Sequence, residues 1–184
     1  MEPPEPRRPP NLDPLAVEIL EQLRVYPEAE YFILGGHFAM KHYIDYRPTH
    51  DIDAWWSGRA DAATRQAVLL RLRHILDDVA NTHGLTVHER RTLSEVVSLQ
   101  LKRGTATVFT VQIAPRTIEL EEPIGRDRSP WAPILIEALA DNVGAKMNAL
   151  VNRGAPRDFL DVYTVVTASL ATGDESLLKQ EQTP

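Results

Sequence analysis

A Gly-Gly pair set just ahead of an Asp-Ile-Asp triplet constrains this chain more than any other feature. The stretch Phe32-Ile-Leu-Gly35-Gly36-His37-Phe-Ala-Met40 carries an apolar run into two glycines that open a helix. Arg47-Pro-Thr49-His-Asp51-Ile-Asp53 follows closely. On a strand, successive side chains point to opposite faces, so Asp51 and Asp53 share one face and Ile52 takes the other. Aspartate is a poor strand residue, and two carboxylates side by side repel unless a cation sits between them. Mg²⁺ suits such a pair, because it takes one or two carboxylates together with substrate phosphates. A Gly-Gly turn into a helix offers backbone N–H groups and a positive dipole end to those phosphates. The combination reads as a site for nucleotidyl transfer.

The chain has 184 residues, enough for one domain with a real core. Hydrophobic residues make up 43% and charged residues 25%, which is the balance of a folded globular domain. No apolar run is long enough to span a bilayer. The Pro-rich start, Met1 to Pro10, lacks the apolar core of a signal peptide. Cysteine is absent, which excludes disulfides, thiolate metal sites and cysteine nucleophiles and fits a cytoplasmic protein. A formal charge of −6 argues against indiscriminate nucleic-acid binding. Local balance differs: Arg90, Arg91, Lys102, Arg103 and Arg116 crowd one region, and Lys146, Arg153 and Arg157 another.

Helical spacing or start signals mark Asp13 to Arg24, Gly36 to Tyr43, Ala60 to Thr82, Ile134 to Asn152 and Pro156 to Ala171. Tyr31 to Leu34, Asp51 to Trp56, Leu85 to Arg91, Glu95 to Lys102 and Thr105 to Ala114 read as strands, with a hairpin at Arg103-Gly104. The expected fold class is α+β, a small mixed sheet backed by helices with a C-terminal helical unit. Residues 1–12 are expected to form a disordered Pro-rich tail, 13–131 the core, and 132–175 the helical unit that completes the site.

A second block reads Lys146-Met-Asn-Ala149-Leu-Val-Asn-Arg153-Gly-Ala-Pro-Arg157-Asp158-Phe-Leu-Asp161-Val-Tyr163. With Gly35-Gly36 and Arg47-x-Thr49-x-Asp51-Ile-Asp53, it resembles the AbiEii/AbiGii-type nucleotidyltransferases, a branch of the polymerase-β-like nucleotidyltransferase superfamily. The similarity runs from about Phe32 to about Val166 and is dense only in the two blocks. It implies a nucleotidyltransferase-type sheet, a toxin of a toxin–antitoxin pair, an NTP donor, tRNA 3′ ends as acceptor and a separately encoded antitoxin. It also implies that Lys146 faces the triphosphate, that Asp158 lies in the site and that Asp161 is a structural partner.

Each candidate has a plainer reading. Gly35 and Gly36 suit a turn that needs positive φ. Arg47 can fork onto phosphate oxygens or hold Asp51 or Asp53 in a salt bridge. Thr49 stands with it ahead of the acidic strand. Lys146 and Arg153 share a helical face, and Lys146 can equally snorkel to solvent. Pro156, Arg157 and Asp158 also make an ordinary helix start. Asp158 and Asp161 share a face, so one can orient Arg153 or Lys146 while the other faces the site.

Thr110 and Gln112 occupy the strand where many enzymes of this fold carry a third carboxylate, and neither acts as a base near neutral pH. Glu95 or Asp158 could serve instead, although Glu95 reads better as a rim charge. One of Trp55 and Trp56 should be buried and the other placed to stack a base. His37 is set aside as structural, and the other histidines show no metal-ligand spacing. Two alternatives remain open at this point: a nucleotidyltransferase acting on a small molecule such as an aminoglycoside, and a degenerate nucleotide- or protein-binding member of the fold.

Overall fold

In the computed structural model, which describes residues 4–91, 96–116, 119, 121–125 and 127–172, the two motifs land on neighbouring strands. β1 (Phe32–Gly35) runs antiparallel to β2 (Asp51–Trp56), with Gly35 opposite Asp53 and Ile33 opposite Trp55. On its other side β2 lies parallel to β5 (Ala106–Pro115). β3 (Thr86–Arg91), β4 (Val97–Arg103) and β5 form an antiparallel meander, turned at Gly104 with φ +60°. The sheet has six strands in the order β3-β4-β5-β2-β1-β6, where β6 (Leu135–Ile136) is parallel to β1. The α+β architecture expected from the pattern is therefore present, with a mixed sheet.

Alternation along β2 divides the molecule. Ile52, Ala54 and Trp56 point into the core, where α1 (Pro14–Leu23) and α3 (Ala62–His83) supply Ile19, Leu20, Leu72 and Leu76. Burying each such aliphatic side chain is worth about 1.5–3 kcal/mol, so this layer carries most of the drive to fold. Caps fix the helix ends: Asp13 accepts the Leu15 N–H, Asp61 accepts the Thr64 N–H, and Gly84 closes α3 at φ +63°. Asp51, Asp53 and Trp55 face the opposite side, below α4 (Leu139–Arg153), which packs on α5 (Pro156–Thr172). The short α2 (Gly36–Met40) leads from β1 toward the loop that carries Arg47.

Two expectations are corrected. The C-terminal helix begins at Leu139 and not at Ile134, because Leu135 and Ile136 extend the sheet beyond β1. The Glu137 N–H continues the pairing by donating to the Leu34 carbonyl at 2.8 Å. A short β-branched apolar run fits a buried strand as well as a helix start, and the open edge of β1 decides it. Residues 4–12, expected to be disordered, form no helix or strand but pack against the body. Pro6 and Pro9 are buried, the Arg7 N–H donates to the His42 carbonyl at 2.8 Å, and the Arg8 guanidinium lies 4.2 Å from the centre of the Trp131 ring. Prolines already fixed in φ lose little entropy on docking, and Trp131 gives the arginine a π-face.

Candidate active site

Asp51 and Asp53 sit side by side on the open face of β2. The Thr49 hydroxyl, buried just ahead of the strand, donates to Asp51. Burial, and next the charge of Asp51, push the Asp53 carboxyl up to about 6, while Lys146, Arg157 and Arg153 pull it back. Thr110 lies opposite Asp51 and Gln112 opposite Asp53, so the strand expected to carry a third acid does flank the pair and presents an amide there. Glu95 lies outside the described residues.

The glycines prove to be matters of space as well as of backbone freedom. A Cβ on Gly36, where φ is +58°, would stand 2.3 Å from the Asp53 carboxylate. A Cβ on Gly35 would stand 2.1 Å from the Trp55 indole nitrogen. The first glycine lets an aromatic ring lie across the strand, and the second lets the chain turn directly against a catalytic candidate.

The two C-terminal helices roof this surface. Asn142 uses both amide hydrogens to index α4 on the sheet, donating to the Gly36 carbonyl and to Glu137 Oε2 at 2.7 Å each. One turn later, Lys146 Nζ lies 2.8 Å from Asp161. Asp161 is fully buried and also accepts the Arg47 fork at 3.0 and 3.1 Å and the Tyr46 hydroxyl. Burial alone would raise its carboxyl, but the hydrogen bonds from Arg47, Lys146 and Tyr46 outweigh that and hold it at about 2. Arg47 therefore pairs with Asp161, and neither Asp51 nor Asp53 is its partner. Lys146 is buried rather than snorkelling. Asp158 is also fully buried and takes the Arg153 fork at 2.7 and 2.8 Å, which lowers its carboxyl. The two acids thus divide the cations between them, Asp158 holding Arg153 and Asp161 holding Arg47 and Lys146.

Between sheet and roof lies a cavity of about 420 Å³ lined by Gly36, Asp51, Asp53, Arg47, Lys146, Arg153 and Arg157. Gly35, Thr49, Asp158 and Asp161 support those residues from behind. Two carboxylates, a glycine turn and four cations around one space form a charge pattern matched to a triphosphate with a divalent cation. The family model for the nucleotidyl transferase AbiEii toxin of type IV TA systems matches residues 18–181. The chain belongs to the AbiEii family. Among solved structures, that of the Megavirus polyadenylate synthase aligns with a TM-score of 0.47 and 11% identity, covering 100% of this chain and 39% of that one. No curated protein matches the chain.

Several residues of this AbiEii cavity were not read from sequence as parts of the site. Glu137, Arg116, His37 and Asn148 also line it. Glu137 is buried and accepts the Trp55 Nε1–H at 2.9 Å, and burial raises its carboxyl. The only sequence signal for it is an acid ending the apolar run Ile134-Leu-Ile136. Arg116 is tied to Asp141 at the start of α4 and donates to the Glu121 carbonyl. His37 lies against the Tyr46 hydroxyl and the Arg47 carbonyl, and burial lowers its pKa to about 4, so it is neutral. Of the two tryptophans, Trp56 is the core residue and Trp55 lines the cavity. Among the described residues no group of three His, Cys, Asp or Glu side chains could hold a metal ion. The Asp51–Asp53 pair still fits Mg²⁺, which needs few protein ligands when phosphates complete its shell.

Proposed function

We propose that this AbiEii chain moves a nucleoside monophosphate from an NTP to a hydroxyl acceptor, with Mg²⁺ held by Asp51 and Asp53. The observation that carries the reading is the single cavity in which that pair meets the Gly36 turn and the cations of α4 and α5. When bound, the metal would align the α-phosphate and neutralise charge as pyrophosphate leaves. The acceptor oxygen gives up its proton to solvent and bonds to the α-phosphorus as the bridge from the α- to the β-phosphate breaks and pyrophosphate leaves. Lys146, Arg153 and Arg157 bind the phosphates, and Arg47 completes the clamp while shared with Asp161. Thr110 and Gln112 leave β5 without a general base, and Asp158 acts by holding Arg153.

We further propose a tRNA 3′ end as acceptor, a cognate antitoxin as partner and a cytoplasmic setting. The support for tRNA is the family likeness and the cations Arg90, Lys102 and Arg103 on the β3–β4 edge. Among the described residues no helix is long and apolar enough to cross a membrane. A second reading, a cationic small-molecule acceptor, draws on a cavity of about 680 Å³ that shares Arg116 with the first and carries Glu30, Glu119 and Glu122 against Arg116 and Arg59.

Incubation with each α-³²P-labelled NTP, Mg²⁺ and total tRNA, beside Asp51→Asn/Asp53→Asn, tests both. Label on RNA that disappears in the double variant supports the first reading. Label found only on a small molecule such as an aminoglycoside supports the second. Nucleotide binding without any transfer would overturn both.

A further inference from the structure

The cavity has two chemically different ends. α4 rises about 16 Å from Asn142, which is bonded to the Gly36 carbonyl and Glu137, to Arg153. At one end stand Arg47, Lys146 and Arg153, the groups suited to phosphate. At the other stand Trp55 and Glu137, an aromatic ring and an acid, beside Arg116, whose guanidinium is engaged by Asp141 and the Glu121 carbonyl. Asp51 and Asp53 lie toward the cationic end.

An NTP whose α-phosphate meets the two aspartates directs its pyrophosphate and its nucleoside away through different oxygens. The cations claim the pyrophosphate, which leaves the nucleoside the Trp55 end. There the indole lies across Gly35, in the space a side chain would fill. Its edge is pinned by the 2.9 Å bond from Nε1 to Glu137, and Glu137 is pinned in turn by Asn142. A carboxylate offers about four lone-pair sites, and these two bonds leave acceptor capacity.

We infer that this end of the cavity is a nucleoside subsite, in which the base of the NTP stacks on Trp55 and Glu137 is the positioning residue that fixes the indole. The inference rests on the nucleotidyl-transfer reading. It predicts tolerance of different bases, because every base presents a π-face.

Binding of NTPs and of inorganic tripolyphosphate, each with Mg²⁺, separates the two. Trp56 and Trp131 are buried in the core, so the ligand-induced change in intrinsic fluorescence that Trp55→Phe removes is the part that reports Trp55. All four NTPs should quench it saturably, and tripolyphosphate should compete without quenching. Trp55→Ala should weaken NTP binding roughly ten- to hundred-fold, the range lost with one base–aromatic stack, and leave tripolyphosphate binding intact, which also shows that the site remains folded. Glu137→Ala should weaken NTP binding in the same selective way, and Trp55→Phe should fall between. NTP affinity unchanged in Trp55→Ala would overturn the subsite alone. Failure of the wild type to bind either ligand would overturn the nucleotidyl-transfer reading and the subsite with it.

Discussion

Lys146 Nζ lies 2.8 Å from the carboxylate of Asp161, the same buried acid that accepts the Arg47 fork. Two cations from distant parts of the chain are thereby held at one wall of the cavity. Asp161→Asn should release both and leave buried charge unpaired. Removing one partner of a buried pair costs about 3–5 kcal/mol, and displaced phosphate ligands should lower transfer roughly a hundred-fold. Urea unfolding and the labelled-NTP assay read the two effects. A variant as stable and active as the parent would contradict the role given to Asp161.

Asp53 works against stability. Its carboxyl is at about 6 in the folded state against an ordinary 3.8. Folding therefore carries no penalty from Asp53 below pH about 4, an increasing one up to pH 6 and the full one above. Asp53→Asn should stabilise the metal-free protein by about 2 kcal/mol at pH 7.5, after discounting for partial exposure, and by almost nothing at pH 4. The same substitution should abolish transfer and any stabilisation by Mg²⁺. Denaturant midpoints at the two pH values decide it.

Gly35 and Trp55 should be coupled. Gly35→Ala places a methyl group against the indole and should cost about 1–3 kcal/mol, as overpacking does. In a Trp55→Ala background the same change should cost far less. A double-mutant cycle measures the difference, and additive effects would refute the contact.

Acid should weaken the protein through two histidines. His37 and His42 have pKa values lowered to about 4, chiefly by burial, from an ordinary 6.5. His42 is held neutral between the Phe38 carbonyl at 2.8 Å and the indole N–H of Trp131 at 2.7 Å. Their contribution is complete above pH 6.5 and is lost as pH falls toward 4. Between pH 7.5 and 5 the loss should be about 2 kcal/mol for each. Asp53 offsets part of it over the same range, so Asp53→Asn is the background for the measurement. Stability unchanged from pH 7.5 to 5 in that background would count against both assignments.

Much of this was legible in the sequence for a physical reason. Periodicity located the long helices, alternation placed Asp51 and Asp53 on one face, and Arg103-Gly104 marked its turn. The remainder depended on distances that no local pattern carries. Leu135 and Ile136 became a strand because β1 had an unpaired edge, and Glu137 entered the cavity as a result. Asp158 and Asp161 occupy one buried helical face, and which of them meets Arg47 depends on a loop 114 residues earlier. The glycines announced conformational freedom, but not that Trp55 and Asp53 would fill the space above them.

The sheet closes with a strand and a roof drawn from the last part of the chain. A ribosome that has reached β5 has made the glycine turn and both aspartates, with nothing above them. Lys146 has no anchor until Asp161 emerges, and Arg153 none until Asp158 does. A chain cut short before α4 therefore bears the acids without Lys146, Arg153 or Arg157, and the cavity is completed only once α5 has been made.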